Sequence, residues 1–183
     1  MKTLAPSVRF SIYSLVLGMV FLTGVLYKKK IQQLITPIYL AHEQQRNLSV
    51  IIADTQATIY SPYLPVVAGF ETLLTQFFQN LIANAIKFRR PNHTPLVSLT
   101  FAKIGELYHF KFQDNGIGIE PQYADSIFKL FTRLNNKEDF EGNGLGLSLC
   151  RRIIEKHGGE ISVTSKGLGY GTTFSFSLHP PTF

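Results

Sequence analysis

The sequence predicts an α+β domain over residues 41–183, and three observations lead to this prediction. Residues 71–88 carry the clearest helical pattern, because apolar side chains recur there at spacings of three and four. Residues 107–113 alternate tyrosine and phenylalanine with histidine, lysine and glutamine, which is typical of a strand with one buried and one wet face. Few polar insertions interrupt the order of elements. A chain of this length can bury about two-thirds of its surface, so we expect one packed domain.

The positive charge of the chain is concentrated near its beginning. The formal net charge is +6, yet residues 1–40 hold five basic residues and no acidic ones, which leaves the rest of the chain almost neutral. The basic character is therefore a property of one segment and does not indicate nucleic-acid binding, so we expect no nucleic-acid partner. The single cysteine excludes a disulfide scaffold and a cysteine-based zinc site.

Residues 10–27 are uncharged and are followed at once by Lys28, Lys29 and Lys30. As a helix they would span about 27 Å, just short of a typical hydrocarbon core. Three lysines after the span favour the cytoplasm on that side. We therefore predict that residues 1–40 contain a single transmembrane helix at 10–27 and that residues 41–183 lie in the cytoplasm at the cell membrane. A signal peptide or a buried helix is the alternative, and without an anchor the protein would be cytoplasmic.

The other elements are predicted from the same two periodicities and from the turn residues between them. In chain order they are a helix over 31–53 broken at Pro37, strands near 57–60, 65–68 and 96–101, a helical turn near 121–131, a polar loop at 132–143, a helix over 145–157, and strands at 161–165 and 172–178. His157 is predicted to act as a cation at the end of its helix, just before a glycine pair.

Asp114 ends the strand at 107–113 and begins a segment that we call the Asp114 box, residues 114–119. The box contains Gly116 and Gly118 and returns to apolar residues at Ile119. A fixed carboxylate beside a backbone without side chains can hold a flat polar heterocycle, because the carboxylate accepts from an exocyclic amine and glycine permits close approach. The same pattern also forms an ordinary turn at a strand end, so the box alone leaves both interpretations open.

Asn80, Asn84 and Lys87 lie on one stripe of the helix at 71–88, because they are four and three residues apart. One interpretation is a solvated helix face. The other is a site in which the Asn84 oxygen binds Mg²⁺ and the Lys87 ammonium neutralises a phosphate.

A glycine-rich segment leads directly into the helix at 145–157. Gly142, Gly144 and Gly146 alternate there with Asn143 and Leu145, and Leu147 follows. Free N–H groups and the helix dipole favour an anion at such a helix start. The segment lacks the Lys-Ser/Thr end of a P-loop and follows a polar loop instead of a strand. It is therefore neither a Walker motif nor a Rossmann fingerprint.

Five segments resemble the motifs of sensor histidine kinases, and they occur in the same order as in that family. They are residues 80–88 for the N box, 114–119 for the first glycine box, 127–134 for the F box, 142–147 for the second glycine box and 169–174 for the glycine motif before the last strand. The resemblance covers roughly residues 50–183. It indicates the ATP-binding domain of the gyrase, chaperone, histidine kinase and MutL superfamily. The sequence is most similar to that of phytochrome-type kinases.

The resemblance implies a fold and a set of ligand contacts. The fold is a two-layer α/β sandwich of the Bergerat type, a mixed sheet of about five strands with three helices on one face, preceded by an N-terminal helix. The cofactors are ATP and Mg²⁺. The implied nucleotide-binding residues are Asp114 for the adenine amino group, Gly116, Gly118, Ile119 and Thr172 along the adenine side, Asn80, Asn84 and Lys87 near the phosphates with Asn84 on Mg²⁺, and Gly142, Gly144, Leu145, Gly146 and Leu147 beneath a lid at 132–143.

The resemblance also implies the reaction. Gyrase-type relatives carry glutamate at the position of Asn80, where it activates water, and an amide lacks the basicity for that role. The implied activity is an ATP-dependent protein-histidine kinase, with Asn80 and Lys87 as catalytic residues and a response regulator downstream. Only about 20 residues separate Lys30 from Ser49, too few for a phosphoacceptor hairpin. We therefore expect the acceptor histidine in trans or on an upstream segment, and His42 is a weaker candidate.

Two alternatives remain open, and two positions depart from the family pattern. The chain could be a degenerate kinase that binds ATP as an interaction module without transfer, or a gyrase-like ATPase. Asn143 stands where a small hydroxyl residue is usual. Phe70 replaces the usual acidic or polar residue after Gly69.

Overall fold

The computed structural model describes residues 9–11, 48–61, 64–131 and 144–181. The strands in these ranges are β1 (Arg9–Ser11), β2 (Thr58–Tyr60), β3 (Val66–Ala68), β4 (Leu96–Ile104), β5 (Leu107–Asp114), β6 (Ile161–Thr164) and β7 (Thr173–Leu178). The helices are α1 (Leu48–Thr55), α2 (Glu71–Lys87) and α3 (Gly146–Lys156), with 3-10 turns at Pro121–Tyr123 and Ser126–Phe128. The predicted elements in these ranges are found, with ends that move by a few residues.

Five strands form one mixed sheet in the order β2-β4-β5-β7-β6. β2 runs parallel to β4, and the other neighbouring pairs are antiparallel. The register places Phe110 opposite Phe176 and Phe112 opposite Phe174, so the aromatic residues of β5 and β7 share one face. This mixed five-stranded sheet confirms the predicted α+β fold class.

The core lies between that aromatic face and helices α2 and α3. The ring of Phe176 stacks on Phe110 with a centroid distance of 5.1 Å, and Phe77 of α2 meets Phe176 edge-on at 4.8 Å. On the opposite face of β5 the side chains of His109 and Lys111 are exposed, as the alternating pattern predicts. The sheet is therefore covered by helices on one side in its described part.

The C-terminal end of helix α2 contacts the Asp114 box. Its buried stripe holds Leu74, Phe77, Phe78, Leu81, Ile82, Ala85 and Ile86, which follow the helical spacing read from the sequence. Phe88, the first residue after the end of α2 at Lys87, leaves helical geometry with φ −92° and ψ 29°. Its carbonyl accepts a hydrogen bond from Ile117 N–H at 2.9 Å, so the end of α2 is fastened to the box.

His157 joins the end of α3 to the start of α2. Its Nδ1 lies 2.6 Å from the carbonyl oxygen of Ile153, and its Nε2 accepts the N–H of Phe70 at 2.9 Å. Both contacts form together only if the single ring proton is on Nδ1, because Nε2 must keep its lone pair. This arrangement differs from the predicted role of His157 as a helix-terminal cation. The imidazole links the two helices through its two ring nitrogens.

The segment before residue 48 is described only at β1. There Phe10 pairs with Val67 in an antiparallel ladder between β1 and β3, so the predicted membrane helix does not begin at residue 10. Residues 12–27 lie outside the described part, and so do Pro37, His42 and the loop at 132–143. Among the residues that are described, no helix is both long and apolar enough to cross a membrane.

Candidate functional site

Asp114 is a buried carboxylate at the end of a central strand, with 9% of its surface exposed. Its Oδ1 accepts hydrogen bonds from Gly116 N–H at 2.8 Å and Thr172 N–H at 3.1 Å. The main-chain N–H of Asp114 also donates to Thr172 O at 2.9 Å, which joins β5 to the residue before β7. Both donors use Oδ1, which fixes the orientation of the carboxylate, and the described residues place no hydrogen-bond donor on Oδ2.

Burial changes the acidity of this group. Desolvation disfavours the charged form and raises the pKa of Asp114 from 3.8 to about 6, although the hydrogen bonds from Gly116 and Thr172 act in the opposite direction. The carboxylate is therefore mostly ionised at neutral pH. In that form it accepts hydrogen bonds and donates none.

The glycines beside Asp114 allow close contact between protein backbones. A Cβ on Gly116 would lie 2.6 Å from Phe88 O and 2.9 Å from Asp114 Oδ1. A Cβ on Gly118, whose φ is +75°, would overlap Gly167 O. From the sequence, these glycines are expected to allow the close approach of a ligand. In the structure they let the box pack against the end of α2 and against the loop at 165–171.

Ser165 is a polar centre that the sequence analysis does not identify. Its Oγ accepts hydrogen bonds from the N–H groups of Ile119 at 3.1 Å and Gly167 at 3.2 Å. The same hydroxyl donates to the carbonyl oxygen of Gly171 at 2.7 Å. A serine at a strand end before a glycine-rich turn is a known local hydrogen-bonding signal. Its bond to Ile119 joins residues 46 apart, which that signal does not reveal.

The predicted phosphate side is built by α2 and the start of α3. Asn80, Asn84 and Lys87 are all half-buried on α2. A Cβ on Gly146 would lie 3.4 Å from Asn80 Oδ1, so the first residue of α3 abuts the amide of Asn80. The Lys87 ammonium lies 4.6 Å from the centroid of the Phe88 ring. The structure thus brings Asn80 of α2 against Gly146 at the start of α3.

Among the described residues, the start of α3 has no side-chain cap for its first main-chain N–H groups. Leu145 is the N-cap residue, and within the described residues no side chain caps the helix. The first N–H groups of such a helix lack partners within the helix and point outward. Gly144 has φ +68°, a conformation that favours glycine. Leu145 is 38% exposed and Leu147 is half-buried, whereas Gly142 lies outside the described residues.

A metal ion at this site would depend on amide and phosphate oxygens. The described residues contain no group of three or more histidine, cysteine, aspartate or glutamate side chains that could hold one. Mg²⁺ commonly takes only one or two protein oxygens and completes its shell with water and substrate phosphates. The half-buried Asn84 amide is compatible with such a site.

Comparison with protein families and curated proteins gives consistent matches. The profile described as histidine kinase-, DNA gyrase B- and HSP90-like ATPase matches residues 69–182. Cyanobacterial phytochrome A of Nostoc sp. is 46% identical over 132 residues, which is 72% of this chain and 17% of that protein. The aerobic respiration control sensor protein ArcB of Escherichia coli is 33% identical over 144 residues, 74% of this chain and 18% of that protein. The chain therefore spans less than a fifth of the length of these relatives.

Solved structures share the fold. The mycobacterial sensor histidine kinase MprB has a TM-score of 0.63 at 18% identity and covers 97% of this chain and 100% of its own. The ATP-binding domain of PrrB from Mycobacterium tuberculosis has a TM-score of 0.59 at 20% identity, with coverage of 96% and 98%. These matches agree with the five-stranded topology of this chain.

Proposed function

The chain belongs to the family of histidine kinase-, DNA gyrase B- and HSP90-like ATPases, and we propose that it binds Mg-ATP and transfers the γ-phosphoryl group to a histidine of a phosphoacceptor domain in two-component signalling. The observation that carries this proposal is the buried carboxylate of Asp114, whose orientation is fixed by two N–H donors on Oδ1. A carboxylate held in this way selects a ligand that presents a hydrogen-bond donor, as the adenine amino group does.

The adenine side of the proposed site is the Asp114 box together with the start of β7. Asp114 Oδ2 accepts the amino group, and Thr172 supplies a buried wall on the opposite side. Gly116, Gly118 and Ile119 set the shape of the box through their contacts with the end of α2 and with Ser165.

The phosphate side of the proposed site consists of α2 and the start of α3. Asn84 supplies an oxygen to Mg²⁺, and Lys87 neutralises phosphate charge. Bound Mg²⁺ would offset the negative charge of the phosphates. Asn80 lies against Gly146 and orients the phosphate chain. Gly142, Gly144, Leu145, Gly146 and Leu147 surround the phosphates through main-chain donors, beneath a lid formed by residues 132–143.

The acceptor in this proposal is a histidine on another chain or on an upstream segment, and a response regulator receives the phosphoryl group next. The Asn80 amide cannot deprotonate water, so the reaction needs a positioned acceptor. We place the domain at the cytoplasmic face of the cell membrane through a helix within the uncharged segment that follows β1 and ends at residue 27. Fractionation of the full chain tests that placement, because recovery in the soluble fraction without detergent contradicts it.

Nucleotide binding tests the proposal first. Asp114→Asn removes the charge and places an amide at the adenine position, so we expect affinity for ATP to fall at least about a hundredfold. Titration calorimetry with Mg-ATP measures the loss. Asp125→Asn is the control, because Asp125 is exposed near the second 3-10 turn. This variant should bind ATP like the wild type. Intact binding by the Asp114 variant would overturn the adenine assignment.

Radiolabel transfer tests the reaction itself. Incubation with labelled ATP and a separate phosphoacceptor hairpin should label the hairpin, and replacement of its histidine should abolish the label. ATP binding without labelling of this or any other acceptor hairpin favours the alternative, an ATP-binding interaction module.

A further inference from the structure

We propose that Arg90 is a positioning residue that holds the adenine side of the site in place without touching the nucleotide. The inference rests on the proposed nucleotide site and adds a residue to it. Arg90 follows the end of α2 by three residues, and its side chain is half-buried.

The guanidinium of Arg90 bridges two segments that are far apart in the chain. Its Nε donates to the carbonyl oxygen of Asn115 at 2.9 Å, and its Nη1 donates to the carbonyl oxygen of Gly169 at 3.3 Å. Asn115 lies in the Asp114 box, immediately after the proposed adenine ligand. Gly169 belongs to the loop at 165–171 that precedes Thr172. One side chain therefore fixes the spacing between the two walls that enclose the adenine.

The neighbouring main-chain bonds complete a closed set of contacts. Ile117 N–H donates to Phe88 O at 2.9 Å, and Gly169 N–H donates to Ile117 O at 2.6 Å. The end of α2, the box and the loop are thus joined pairwise. Asn84 and Lys87, which belong to the proposed phosphate side, lie only a few residues before Arg90 in the chain. Arg90 therefore also connects the phosphate side to the adenine side.

The chemistry of the contact favours arginine. The planar guanidinium presents several N–H donors in a fixed fork, so it reaches two carbonyls at once. A lysine ammonium is a single point charge on a flexible stem and can satisfy the carbonyls only one at a time or with poorer geometry. Asn115 is held independently, since its side chain accepts Leu96 N–H and donates to Thr94 O, each at 2.9 Å. Loss of Arg90 should therefore loosen the walls without unfolding the sheet.

Arg89 provides a matched control beside Arg90. Its Nη1 donates to Ile86 O at 3.1 Å, a carbonyl in the last turn of the preceding helix α2. Arg89→Met and Arg90→Met remove the same charge and keep a similar apolar stem. Only the second variant breaks the bridge between the box and the loop.

The test is titration calorimetry on Arg90→Met, Arg90→Lys and Arg89→Met, performed well below the melting temperature of each variant with Mg-ATP, ADP and AMP. We expect Arg90→Met to weaken all three nucleotides by a similar factor, roughly tenfold, because the adenine side is common to them. Arg90→Lys should recover part of the loss, and Arg89→Met should stay within about twofold of the wild type. Amide exchange should accelerate at Ile117 and Gly169 in Arg90→Met and not at Phe110 or Phe112.

The outcomes separate this inference from the function on which it rests. If the wild type binds no adenine nucleotide, or Asp114→Asn binds normally, the proposed function fails. If the wild type binds and Asp114→Asn does not, yet Arg90→Met binds like Arg89→Met, only the role of Arg90 fails. A lower melting temperature with unchanged affinity also overturns it, because that result describes a purely structural residue.

Discussion

At the scale of single residues, Asp114 shows how a binding group can oppose stability. Its side chain is buried at the end of β5, where ionisation is disfavoured, yet nucleotide binding as proposed requires the ionised form. The two N–H donors that orient it recover only part of the lost hydration. Binding sites commonly keep such unfavourable groups because function depends on them.

The pH dependence of stability tests this conflict. The pKa of Asp114 is about 6 in the folded chain and 3.8 as the reference, so the folded state binds more protons between these values. The contribution of Asp114 to stability is therefore fully present below pH 4 and is lost as the pH rises through 6. Asp114→Asn has no such titration, and its Oδ1 can still accept the same two N–H groups.

We therefore expect the free energy of unfolding of Asp114→Asn to rise relative to wild type between about pH 4 and 6, by at most about 1.4 kcal/mol per pH unit, and to level off above that range. Urea unfolding without nucleotide measures the difference, which cancels the other titrating groups. The exposed Asp125→Asn should show no such rise. A difference for Asp114→Asn that stays constant with pH would mean that this carboxyl has an ordinary pKa.

At the scale of elements, helix α2 carries much of the proposed site but begins without a side-chain cap. Its N-cap residue is Phe70, which has φ −91° and ψ 114° and is 49% exposed. Aspartate prefers this extended geometry, because its carboxylate accepts an N–H from the first turn. Phe70 instead contacts the His157 ring edge-on at 5.6 Å and the Lys156 ammonium at 5.3 Å.

A capping variant measures how much stability α2 loses because it begins without a side-chain cap. We expect Phe70→Asp to be more stable than Phe70→Ala by about 1 kcal/mol, because both lose the ring contacts and only aspartate caps the helix. Thermal unfolding at neutral pH compares them, and the main-chain bond from residue 70 to His157 Nε2 is available in each. Equal stabilities would show that the first turn of α2 gains nothing from a cap.

At the scale of the whole molecule, the sequence is informative about elements and motifs because these depend on local spacing. The helical period located α2, and alternation located β5. The order of the strands is a different kind of information. Nothing in the period of β2 or β7 predicts that β2 lies parallel beside β4 or that β7 lies between β5 and β6. Long-range contacts such as Arg90 to Gly169 and Ser165 to Ile119 were missed for the same reason.

The candidate site shows the same difference between local sequence patterns and long-range contacts. The order of the motifs along the chain groups Asp114 with Asn80, Asn84 and the glycine-rich segments without knowledge of the fold. The contact between Asn80 and Gly146 brings two of these motifs together in space. The interpretation of Gly116 and Gly118 was incomplete, because a sequence does not reveal which backbone packs against a glycine.

The fate of the phosphoryl group is a property of the whole molecule with its acceptor, and Asn80 makes it testable. An amide beside Gly146 cannot activate water, so hydrolysis by this chain without an acceptor should be roughly tenfold or more slower than transfer to the phosphoacceptor hairpin. Asn80→Glu places a carboxylate there and should raise hydrolysis while lowering transfer. Gln79→Glu adds the same charge about 100° around the helix and should change neither. Release of phosphate from labelled ATP measures hydrolysis, and fast release by the wild type alone would indicate a gyrase-like ATPase.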